Sequence, residues 1–72
     1  MTKKQQGQLM EECLRLKEAR DQAYIEGVKH NVDREYLKKV DAFIKGDSNA
    51  LKIEDIHKVR DFKELILKQI GA

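Results

Sequence analysis

Apolar residues recur along this chain at steps of three and four, in three stretches separated by polar breaks. That spacing puts side chains on one face of a helix. A half-buried strand needs apolar–polar alternation, and no stretch sustains it. The first stretch predicts a helix from about Lys4 to Lys29, with Leu9, Cys13, Leu16 and Ala23 along its stripe. Met10, Ala19, Tyr24 and Val28 widen the stripe, and Glu11, Arg15, Glu18, Gln22 and Glu26 form the opposite face. Gly7 weakens the first turn, so residues 1–6 are expected to fray. Asn31 is the expected left-handed cap, after Lys29 and His30.

The second stretch predicts a helix from about Arg34 to Lys45, built on Tyr36, Leu37, Val40, Phe43 and Ile44. Asp33 is its expected N-cap, Val32 and Leu37 have the staple spacing, and Gly46 is its expected C-cap. The turns fall near 30–33 and 46–50. The third helix starts at about Ala50 or Lys52 and ends at Gln69 before Gly71. Its stripe is Ile56, Val59, Phe62, Ile66 and Ile70, flanked by Leu51, Ile53, Leu65 and Leu67. Short connections make sequential helices near neighbours, expected to run antiparallel. The expected fold is a single all-α domain over residues 1–72. It is either a small three-helix bundle, long-short-long, or a helical hairpin, completed by oligomerisation.

Length supports that last point. A chain of 72 residues buries only about 60 % of its unfolded surface. Small domains usually need a disulfide, a metal or a partner, and one cysteine cannot form an internal disulfide. The lone Cys13 also fits a reducing compartment. No apolar run approaches the ~20 residues of a membrane span, and the first residues carry no signal-peptide pattern. A cytoplasmic location is therefore expected. The end of the third helix is apolar on more than one side. Phe62, Leu65, Ile66, Leu67 and Ile70 are accordingly the expected protein-interface residues, with Lys63 and Lys68 as a polar rim.

Charge argues against a dedicated nucleic-acid binder, because the net charge is only +2 and no segment is a basic arm. Residues 1–31 carry six basic and five acidic groups, residues 32–50 four of each, and residues 51–72 five and four. Lys52, Lys58, Arg60, Lys63 and Lys68 nevertheless give the third helix positive density, and are the candidate phosphate contacts. A helix-turn-helix over the second and third helices has its small residues at Ala42 and Gly46. It fails at Asp41, Lys45, Asp47, Lys52 and Asp55, where that motif buries apolar side chains.

Catalytic chemistry is poorly represented. Cys13 lies on the apolar stripe and His30 toward the far end of the same helix, roughly 25 Å away at ~1.5 Å per residue. Ser48, the only serine, lies in a turn. His57 and Asp61 share a helix face but make two ligands at most, and zinc needs three or four. The carboxylate pairs, including Glu11-Glu12 and Glu54-Asp55, read as solvated helix faces. No glycine loop for phosphate is present. No enzyme activity, cofactor, metal or small-molecule substrate is expected. The favoured function is a non-enzymatic interaction module (a regulator, inhibitor or adaptor) that docks a helix face on itself, as a dimer, or on a larger protein partner. A nucleic-acid-associated regulator and a purely structural subunit of a larger assembly are the alternatives.

Overall fold

The computed structural model describes residues 1–71, and among them it is all-helical: α1 (Lys3–Ile25), α2 (Arg34–Ile44) and α3 (Asp55–Gly71). It forms the small long-short-long bundle that the periodicity predicts.

The first turn of α1 is tied down. The Gln5 N–H donates to Thr2 Oγ1 at 3.1 Å, and the Thr2 N–H donates to Gln5 Oε1 at 3.0 Å. This is a capping box, satisfying two N-terminal donors reciprocally, so residues 3–6 are helical where fraying was expected. The helix also ends earlier than Lys29. Gly27 takes a left-handed φ of 69°. Its N–H bonds Tyr24 O, and the Val28 N–H bonds Ala23 O, which completes a Schellman motif. Glycine adopts that φ without a Cβ penalty, so Gly27 takes the role expected of Asn31. Gly46 ends α2 in the same way, with a φ of 118°: its N–H bonds Phe43 O, and the Asp47 N–H bonds Ala42 O. Asp33 caps the start of α2 as expected, accepting from the Glu35 N–H at 2.9 Å.

Residues 50–54 are not helical, and α3 begins only at Asp55. The Asp55 carboxylate turns back to accept the Lys52 N–H at 2.6 Å, and that bond sets the start of the helix. Leu51 reaches the core from this connection.

The core collects Leu9, Cys13, Leu16, Ala19 and Ala23 from α1, then Tyr36, Leu37, Val40 and Phe43 from α2. Val32 and Leu51 enter from the connections, and Ile56, Val59 and Ile66 from α3. Each large side chain buried here contributes on the order of 1.5–3 kcal/mol. The most extensive helix–helix interface joins α1 to α3, not two consecutive helices. The two run in the same direction. Gln6 shares a groove with residues 52–54, Glu12 meets Arg60 and Lys63, and Ala19 and Gln22 share a groove with Leu67. Tyr24 is a correction to the expected stripe: it is 88 % exposed. One residue step past Ala23 rotates it by about 100°, off the seam.

Candidate functional site

The carboxylate of Glu12 was expected on a solvated face and is instead buried between α1 and α3. Lys63 Nζ donates to Glu12 Oε2 at 3.1 Å. Arg60 lies 3.6 Å and Arg15 3.8 Å from Oε1. Burial pushes this carboxyl up. The Lys63 hydrogen bond and the charges of Lys63, Arg60 and Arg15 outweigh it and hold Glu12 below its ordinary range. Two of the candidate phosphate contacts therefore pair with an anion of their own chain: Lys63 from a largely buried position and Arg60 from the surface. The step from Leu9 to Glu12 to Leu16 was the available signal, because it places Glu12 beside the apolar stripe.

A second polar node joins α2 to α3. The Tyr36 hydroxyl donates to Asp55 Oδ1 at 3.0 Å. Burial, that bond and the Asp55 charge push the Tyr36 hydroxyl above its ordinary pKa. The Tyr36 ring meets Phe62 edge-on, with centroids 5.2 Å apart. Lys58 Nζ sits 4.4 Å from the Tyr36 centroid and 5.8 Å from that of Phe62. Lys58 is thus engaged too. Lys52 and Lys68 remain exposed, as candidates for contact with an outside anion.

Cys13 adjoins both nodes. Burial, and then the charges of Asp55 and Glu12, push its thiol up to about 12. A thiol so placed is neutral and poorly nucleophilic. It should resist a chromogenic disulfide reagent at mildly alkaline pH and react at once in denaturant. Rapid titration of the folded protein would show that the α1–α3 seam is open. Glu12 ion-paired, Cys13 protonated and Tyr36 protonated are none of them poised for attack or proton transfer near neutral pH. Among the described residues, no group of three or more His, Cys, Asp or Glu is placed to hold a metal.

The structure divides the expected interface residues. Ile66 is fully buried in the intrachain core and cannot serve as an anchor for a partner. Phe62 is half-buried against Tyr36, and Ile70 is half-buried against the core. Leu65 and Leu67 are exposed. They flank Ile66 and, two positions apart, point to nearly opposite sides of α3. Further exposed apolar groups lie on α1, outside the expected interface. Ile25 is 77 % exposed beside Tyr24, and Leu14 is exposed as well. Leu14 and Ile25 are about three turns apart on one side of α1. Between them, Arg15, Glu18, Ala19 and Gln22 form with Lys63 and Leu67 a shallow groove of about 500 Å³. A second groove, of about 780 Å³, lies between the end of α1, the following connection and α2.

These features define a class: a small three-helix domain with two internal polar nodes, open surface grooves and apolar groups at the surface. No helix among the described residues is long and apolar enough to cross a membrane. No protein-family model, no curated protein and no solved structure matches the chain.

Proposed function

We propose that this protein is a non-enzymatic interaction module that docks the outer face of its α1–α3 pair on another protein surface, a second copy of itself first of all. The observation that carries this reading is the exposure of Leu67 in a shallow groove between α1 and α3, with Leu14 and Ile25 also exposed along the outer side of α1. A short chain that has packed most of its apolar residues still leaves these in water. Apolar groups rimmed by charge are what an interface core and rim require. Here the rim is Arg15, Glu18 and Lys63. The docking face is thus shared between α1 and α3 rather than wrapped around the end of α3, and Ile66 is not part of it. The nucleic-acid reading has less support, since Arg60 and Lys63 pair with Glu12 and Lys58 lies over Tyr36.

Light scattering across a wide concentration range tests the reading. The wild type is expected to gain mass with concentration, and its melting temperature should rise with it. Leu67→Asp should remain monomeric with unchanged helical circular dichroism, because this side chain already meets water. A wild-type chain that stays a folded monomer throughout, or a Leu67→Asp variant that still associates, overturns docking of copies through this face.

A further inference from the structure

The larger groove carries a second and separate inference. Its apolar floor is Val28, Val32 and Leu37. Four cations line it, Arg20, Lys29, Arg34 and Lys38, against two carboxylates, Asp21 and Asp41. Asp41 is held by Arg20 at 2.9 Å. Lys38 makes only a 3.7 Å contact to Glu35, with both groups largely exposed, so its charge stays available. The chain as a whole is nearly neutral, yet Lys29, Arg34 and Lys38 face this groove with only Asp21 to offset them. His30 also lines the groove, with its Nδ1 enclosed and without a hydrogen-bond partner.

We propose that this groove binds an acidic, extended segment of a partner protein. One apolar side chain seats against Val28 and Leu37, and flanking carboxylates meet Lys29, Arg34 and Lys38. Charge complementarity selects the sign of the segment, and the apolar floor selects a peptide over a nucleic-acid strand. Single-stranded nucleic acid is bound on successive aromatic platforms, and Tyr24 stands here alone. The site does not use Leu14, Ile25 or Leu67, so it stands or falls separately from the α1–α3 face.

Nitrogen-15 NMR titration with three probes decides it: a short peptide alternating Glu and Leu, its Lys–Leu counterpart, and a short oligouridylate. The Glu–Leu peptide is expected to shift Tyr24, residues 28–32 and Leu37 saturably, and added salt should weaken it. Arg34→Glu combined with Lys38→Glu should weaken that binding by roughly tenfold or more and admit the Lys–Leu peptide instead. Both side chains are exposed, so the variant should fold, which circular dichroism verifies. Should it not fold, the wild-type preference between the two peptides still decides. Leu67→Asp should leave the titration unchanged. No shifts at the groove, shifts confined to the Ala19–Leu67 face, equal binding of both peptides, or tighter binding of the oligouridylate would each overturn the proposal.

Discussion

Ile66→Ala is expected to remove about 3–4 kcal/mol of folding stability, within the range for deleting a fully buried branched side chain and leaving a cavity. Ile66 is fully enclosed, in the helix that forms the main interface with α1. A domain of this length has total stability of only about 4–10 kcal/mol, so the variant should lose roughly a third of it or more. Leu67→Ala, one residue on and 47 % exposed, should stay within about 1 kcal/mol of the wild type. Urea unfolding followed by circular dichroism compares the pair directly. Similar losses for the two variants would mean that α3 is rotated from the placement described, with Ile66 no longer its inward side chain.

Glu12→Gln has the second-largest expected effect, a loss of about 2 kcal/mol at neutral pH. Its amide keeps the volume but leaves Lys63 without an anion between the helices. The effect must depend on pH in a definite direction. The Glu12 carboxyl is held below its ordinary range in the folded chain. Its contribution is therefore complete at pH values above the ordinary carboxylate range, and it is lost as pH falls through the lowered folded value. The gap between wild type and Glu12→Gln should narrow in acid, where both chains carry a neutral group at this position. A gap that stays constant from neutral pH into acid would show that the ion cluster does not contribute to stability. Glu12→Met combined with Lys63→Met should recover much of the loss, because an apolar pair in such a site costs no charge desolvation.

Both predictions turn on residues whose place was only partly legible. Ile66 lies on the periodic stripe of the third helix and was also counted among its surplus apolar residues. Periodicity says which residues share a face, but not how wide a face the neighbouring helix covers. Here that cover extends to Ile66 and half of Ile70 and leaves Leu65 and Leu67 in water on either side. Glu12 looked like one more charge in a chain where 39 % of residues are charged. Its burial depends on Lys63 and Arg60, which are distant in sequence and were themselves read as free cations. Long-range partners of this kind leave no local pattern. The capping box is different: Thr2 and Gln5 have the required spacing, and the turn they form is local. Gly27 likewise stood in plain view as a helix terminator.

From sequence alone, then, came what short-range physics controls: three helices, their order and relative lengths, the Asp33 and Gly46 caps, and most of the apolar stripe facing inward. Those follow from side-chain periodicity and backbone preferences within a few residues. The tertiary structure decided what depends on packing between elements. It paired α1 with α3 in parallel, buried Glu12 among three cations and set Tyr36 on Asp55. It also left Leu14, Ile25 and Leu67 facing solvent. Whether a charge is spent internally or offered to a partner depends on which distant side chains reach it. Only the folded chain brings those groups within a few ångströms of one another.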